Sequence, residues 1–197
     1  MLEGRIVALA GEPGPLKEQV TACLDGMGAA PVRLQSDAAT GPGIADLKAE
    51  ARVTAALDRA EAVLDGSDAI VFVGRDLAEG EDMAAFIEES IAGFHFCLKL
   101  AKRLCARAAT DVLAVTGASA EGEQAALAAD VRNGAFRQMT LVAASEGGPL
   151  TPPLLVNAVH VSGEPGPEPS PSLTALLARL LRRPQGYVTG TALGIRL

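Results

Sequence analysis

Tryptophan is absent from this chain, tyrosine occurs once and histidine only twice. A core built on aromatic clusters, or a site built on several imidazoles, has little to draw on. The three cysteines, Cys23, Cys97 and Cys105, form no CxxC pair and leave one thiol over in any pairing. That excludes a disulfide framework, so reduced and buried thiols in a cytoplasmic protein are expected. Cys97 and Cys105 stand at helical spacing among apolar residues, where core packing is the simplest role. No His, Cys or Asp/Glu cluster has metal-ligand spacing. Lysine and arginine gather nowhere, and with a net charge of -7 the chain has no stripe able to track a phosphate backbone. Long hydrophobic runs are missing too. The opening MLEGRIVALAGEPG breaks off at Glu12 and two prolines, too short for a signal peptide or a membrane span.

What the chain does have is 49% hydrophobic residues over 197 positions, with alanine and glycine abundant. This suffices for one substantial core, and residues 1–197 are expected to form one domain. Small side chains let helices approach a sheet closely, which suits layered α/β packing. Arg5 to Ala10 is an apolar run closed by Gly-Glu-Pro-Gly, the pattern of a buried parallel strand entering a loop. Leu16, Val20, Cys23, Leu24 and Met27 then recur on one helical face, with Pro15 suited to the first turn and Gly26 and Gly28 at the end. Further strands are expected at 31–34, 68–74, 111–116 and 154–159, and a last one from Tyr187 to Ile195. Helices are expected through Leu47–Leu64, over 83–106, over 123–145 around Leu127, Val131, Phe136, Met139 and Val142, and through Leu173–Leu181. Four prolines between Gly163 and Pro171 make an extended surface connection. Strands alternating with helices at this rhythm predict a doubly wound parallel sheet with helices on both faces.

Five segments, in order, resemble the short-chain dehydrogenase/reductase family. GRIVALAG resembles its first strand and DAIVFVG its fourth. ESIAGFHFCLKLAKRL resembles its long interface helix, and LLVNAVHVSGEPGP its sixth strand with the following Pro-Gly turn. LARLLRRPQGYVTGTALGIRL is similar to its closing helix, Tyr-Val-Thr-Gly and final strand. The resemblance implies a Rossmann-like fold. It also implies a shortened one, because Leu34 to Asp68 leaves little room for the family's helix, third strand and helix. The segment from Gly163 to Leu173 is short where the family places a substrate lid.

Catalysis in that family needs a proton-donating Tyr, a Lys four residues later, a Ser for the substrate carbonyl and an Asn in a proton relay. At the matching positions this chain has Ala129, Asn133, Gly117 and Ser90. Shifting the register by one puts Asp130 and Gly134 in place of the first two, which restores neither a phenol nor an amine. Tyr187, the only tyrosine, belongs to the closing Tyr-Val-Thr-Gly. The cofactor turn is altered as well. Gly11 and Gly14 remain, but Pro13 and Pro15 remove two N–H donors and Glu12 adds a negative charge where phosphates would sit. Lys17 offsets this in part. No cofactor is expected, with NAD(P) only if the chain is an active, divergent member.

Among remaining candidates, His95 lies on the apolar interface helix, where a packed or interfacial role is expected. His160 ends a strand near the family's nicotinamide position and is the best residue for a repurposed site. Ser119 could mimic the missing Ser, although loop serines commonly cap helices. The leading expectation is a catalytically inactive subunit that pairs with itself or with an active paralogue. Pairing would use helices 83–106 and 123–145, which the resemblance places in a four-helix interface. The alternatives are a divergent NAD(P)-dependent oxidoreductase using His160, Asp130 or water, and a non-redox small-molecule or acyl-chain binder.

Overall fold

The computed structural model describes residues 2–11, 13–33, 57, 58, 60–62, 64, 66–117, 122–150, 152–166, 168–182 and 189–197. In chain order these form β1 (Ile6–Ala10), α1 (Pro15–Gly26), β2 (Ala30–Arg33), β3 (Ala69–Gly74) and α2 (Met83–Cys105). β4 (Asp111–Gly117), α3 (Glu123–Gly147), β5 (Leu155–Ser162), α4 (Pro171–Leu181) and β6 (Thr191–Arg196) follow. Six strands make one sheet in the order β2-β1-β3-β4-β5-β6, every neighbouring pair parallel. This is the doubly wound arrangement expected from the alternation of apolar runs and helical periods. Leu57 and Leu64, from the helix expected before β3, are buried in the core. The stretch in which the family's third strand would lie is outside the described residues.

Side chains alternate across the pleat, so each strand feeds two cores. Val7, Leu9, Val71, Val73, Leu113 and Val115 pack under α1 and α4 with Val20, Leu24, Leu173 and Leu177. Ala8, Ala10, Ile70, Phe72, Val112 and Ala114 face α2 and α3. On that second face the alanines leave room for three rings. Phe72, Phe94 and Phe136 meet at centroid distances of 4.7–5.9 Å, so the few aromatics present are concentrated in one layer. Cys23, Cys97 and Cys105 are all free and buried, as expected, and burial pushes the Cys97 thiol up to about 12.

Two glycines fix the geometry at opposite edges of the sheet, Gly11 at the carboxyl edge and Gly190 at the amino edge. Gly11 has φ +106, and a Cβ there would lie 2.0 Å from the Val73 carbonyl oxygen, so the turn after β1 passes against β3 with no room for a side chain. Gly190 has φ +71, and β6 follows it from Thr191. The strand start expected at Tyr187 lies outside the described residues. At the amino edge too, Arg5 bonds the carbonyl oxygens of Leu181 and Asp68 and lies 3.5 Å from the Asp111 carboxylate, tying α4 to the strand starts. No described helix is long and apolar enough to cross a membrane.

The apolar positions that marked α3 in the sequence divide between its two sides: Phe136 is buried and Met139 packs against the core, whereas Leu127, Val131 and Val142 are 52%, 45% and 55% exposed. The inner face is Ala128, Ala129, Arg132, Phe136, Thr140 and Ala144. Small and polar residues occupy it because Phe136 and the ring cluster already fill the space above the sheet.

Candidate functional site

The chain leaving β1 turns to one face of the sheet and the chain leaving β3 to the other, which opens a crevice at the strand C-terminal ends. Beside it, β3 ends at Gly74, β4 at Gly117, and α3 crosses above both. The centre of this region is the guanidinium of Arg132, whose side chain is fully buried. Its Nη1 donates to the Arg75 carbonyl oxygen and its Nη2 to the Gly117 carbonyl oxygen, the latter at 2.5 Å. Its Nε donates to Asn133 Oδ1 at 3.2 Å, and Asn133 Nδ2 donates to the Gly117 carbonyl at 3.3 Å. The Asp76 carboxylate is 3.7 Å from Nη1, and the Phe86 ring lies 5.6 Å beneath the guanidinium carbon. Strand-end carbonyls are acceptors with no ladder partner, and a planar fork of N–H groups suits several at once.

The loop after β3 is tied down by a second arginine. Arg75 pairs with Glu81 through both carboxylate oxygens, reaches Glu89 at 3.3 Å and lies 5.1 Å from the centre of the same Phe86 ring. Glu81 also accepts from the Ala78 N–H at 2.9 Å, and Asp82 caps α2 by accepting from the Ala85 N–H. The hydrogen bond from Arg75 holds the Glu81 carboxyl below its ordinary range. Burial pushes the Asp76 carboxyl up, opposed by Arg132, and burial also lowers the Arg132 guanidinium.

Of the four positions singled out by the resemblance, Gly117 and Asn133 lie in this cluster, each bonded to Arg132. Gly117 ends β4, and a Cβ on it would lie 2.8 Å from Asp76 Oδ1, so a serine could not enter without moving that carboxylate. Ala129 is buried on the inner face of α3 and offers only a methyl group. Asn133 has both ends of its amide engaged by Arg132 and Gly117. Ser90 is buried on α2. Of the register-shifted alternatives, Asp130 and Gly134 are exposed on the outer face of α3. Ser119 lies outside the described residues.

His160, near the end of β5, stands beside the cluster. Its Nδ1 is 2.8 Å from the hydroxyl of Thr116, a buried residue of β4, as the pairing of Thr116 with His160 across the sheet requires. Burial first, then Arg132 and Arg137, lower its pKa and favour the neutral ring. His95 instead is exposed on α2.

Arg132 was missed in the sequence because a lone arginine in an alanine-rich helix looks like a solvent-facing residue. The signal was positional. Residues 129, 132, 136 and 140 share one face, and Phe136 identifies that face as buried.

The β1–α1 turn bears on whether a dinucleotide fits. Gly11 is required by its contact with Val73, and Pro13 and Pro15 have no N–H to offer. The Lys17 ammonium folds back onto the Gly11 carbonyl oxygen. No side chain caps the helix start at Gly14. A diphosphate here would lack the two amide donors that Pro13 and Pro15 cannot supply, a poor match to its charge. Among the described residues no group of His, Cys, Asp and Glu could hold a metal ion.

Neither a protein-family model nor a curated protein matches the sequence. Solved structures do match in fold. A Burkholderia xenovorans protein described as a short-chain dehydrogenase/reductase superposes with a TM-score of 0.72 at 16% identity, covering 98% of this chain and 95% of the other. Thermoplasma acidophilum aldohexose dehydrogenase gives 0.70 at 13% identity, covering 99% and 93%. A doubly substituted short-chain dehydrogenase/reductase from Serratia marcescens gives 0.63 at 20% identity, covering 99% and 97%. At these identities the likeness concerns architecture: the chain has the α/β, Rossmann-like fold of the short-chain dehydrogenases/reductases.

Proposed function

We propose that this protein is a non-catalytic subunit built on the dehydrogenase fold, acting as a structural or regulatory partner in an oligomer. One observation carries the reading. The Arg132 guanidinium is fully buried between the ends of β3 and β4, beside Gly117 and Asn133, and its N–H groups are given to carbonyl oxygens rather than to a substrate. Proton transfer to a carbonyl needs an acid whose pKa lies near the working pH, and an arginine cannot supply one. The neighbouring positions 117, 129 and 133 carry Gly, Ala and an engaged Asn. The two prolines in the β1–α1 turn support the same reading, since charge-assisted bonds of about 1.5–3 kcal/mol each are absent there.

A second reading, a divergent NAD(P)-dependent oxidoreductase, is favoured by the fold shared with named dehydrogenases and by the Thr116–His160 contact near the crevice. Calorimetric titration with NADH and with NADPH, followed by turnover assays on a panel of aldehydes and ketones, separates the two. The proposed role predicts no saturable heat and no nicotinamide oxidation. Consumption of either cofactor by the purified chain overturns it.

A further inference from the structure

Along one side of the molecule α2 and α3 leave a groove of about 490 Å³ between them, within the range of roughly 300–1,000 Å³ usual for small-molecule sites. Its apolar lining comes from Leu98 on α2 and from Met139, Val142 and Ala143 on α3. Leu150 and Leu154 close one end, each donating its backbone N–H to the Gly147 carbonyl oxygen at 3.1 Å. Near that end Lys102 and Glu146 face each other at 3.6 Å, so their charges cancel. The other end is positive. His95 and Lys99, one helical turn apart on α2, stand opposite Gln138 on α3, and among the described residues no carboxylate pairs with Lys99. Partial burial first, then the Lys99 ammonium, lower the His95 pKa, so the two groups share one end of the groove.

We infer that this groove binds a free medium-chain fatty acid, its carboxylate between His95, Lys99 and Gln138 and its chain along Leu98 and Met139 toward Leu154. The inference goes beyond the non-catalytic reading and does not rest on it. Charge complementarity selects the head. A cationic head would be repelled by Lys99, and a neutral one would gain little from it. A carboxylate accepts from both the ammonium and the Gln138 amide. The lining selects the tail. From His95 to Lys102 the helix rises about 10 Å, and the leucines extend the apolar path beyond, so an extended chain suits it better than a compact ring. Each methylene laid on this lining leaves water, and nothing polar waits for it at the closed end.

Calorimetric titration of the full chain with octanoate, decanoate and dodecanoate, below their micelle concentrations, tests the tail. Affinity should rise roughly fourfold per methylene, equivalent to about 0.8 kcal/mol each. Decanol and decylammonium test the head. Both should bind more weakly than decanoate, and Lys99→Glu should remove the advantage of decanoate over decanol. Val142→Glu, at an exposed position where the fold tolerates a charge, should abolish the binding of both. The chain has only two imidazoles, so proton NMR locates the carboxylate. Decanoate should raise the His95 pKa, because an opposite charge favours the imidazolium, and should leave His160 unmoved. Absence of saturable binding overturns the inference. So does decanol matching decanoate, or a His160 that responds while His95 does not. A dimer in sedimentation that excludes decanoate and that Val142→Glu dissociates overturns it as well, and assigns the groove to a second copy. None of these results touches the nicotinamide assay, so failure here is distinct from failure of the non-catalytic reading.

Discussion

Replacing Arg132 by alanine removes the guanidinium N–H groups that bond the Gly117 carbonyl at the end of β4 and the Arg75 carbonyl after β3. The Gly117 and Arg75 oxygens and the Asn133 amide oxygen lose a donor together, and the Asp76 carboxylate loses its nearest cation. A buried acceptor left alone costs about 1–3 kcal/mol, and breaking a buried charge pair by removing one partner costs about 3–5 kcal/mol. These contributions overlap, because water can enter the space and Asp76 is partly exposed. A loss of about 4 kcal/mol is therefore expected. For a chain of this length, with roughly 2–4 °C lost per kcal/mol, the melting temperature should fall by roughly 8–16 °C. Urea denaturation followed by circular dichroism measures this directly, with an unchanged slope showing that the same surface is exposed. Arg132→Lys keeps the charge but not the planar fork, and should recover less than half of the loss. An Arg132→Ala protein within about 1 kcal/mol of the natural chain would refute the role given to the guanidinium.

Three further outcomes follow from the same geometry. Gly11→Ala should cost more than about 3 kcal/mol in urea melts, since positive φ strain adds to a backbone clash with Val73 that no rotamer relieves. Asp76→Asn should cost far less than Arg132→Ala in the same melts. The Asp76 pKa is raised in the fold, so its ionised form opposes stability above the usual carboxylate range. His160 has a folded pKa lowered by burial and two arginines, so the unfolded chain binds its proton more readily and stability falls as pH drops below about 6.5. Thermal melts across that range should show a steeper loss in the natural chain than in His160→Gln, and parallel curves would dismiss the effect.

The layered fold was legible because the strands here are buried on both faces and stand out as continuous apolar runs, as in Ala69–Gly74. α1 was equally plain, since Leu16, Val20, Cys23, Leu24 and Met27 keep one face and all are buried. α3 was harder. Its apolar residues lie on both sides and its inner face mixes alanines, Thr140 and Arg132 with Phe136, so periodicity identified the helix but could not choose its buried side. β5 runs through His160 to Ser162, beyond the apolar stretch that marked it, because pairing with β4 and β6 satisfies its polar end. At the site, Ala129, Asn133 and Gly117 could be located by resemblance alone. The Arg132 network beside them could not, because the guanidinium reaches its acceptors across 15 and 57 residues of sequence.

The packing around Arg132 sets what new chemistry this scaffold could accept. A Ser at 117 would bring a Cβ 2.8 Å from an Asp76 carboxylate oxygen, which the half-exposed Asp76 side chain can swing aside to admit. A Lys at 133 would instead place an ammonium beside a guanidinium that is fully buried and has nowhere to withdraw. Arg132 would have to leave first, and its bonds to the Arg75 and Gly117 carbonyl oxygens would go with it, so building a second cation into this region passes through a less stable sequence.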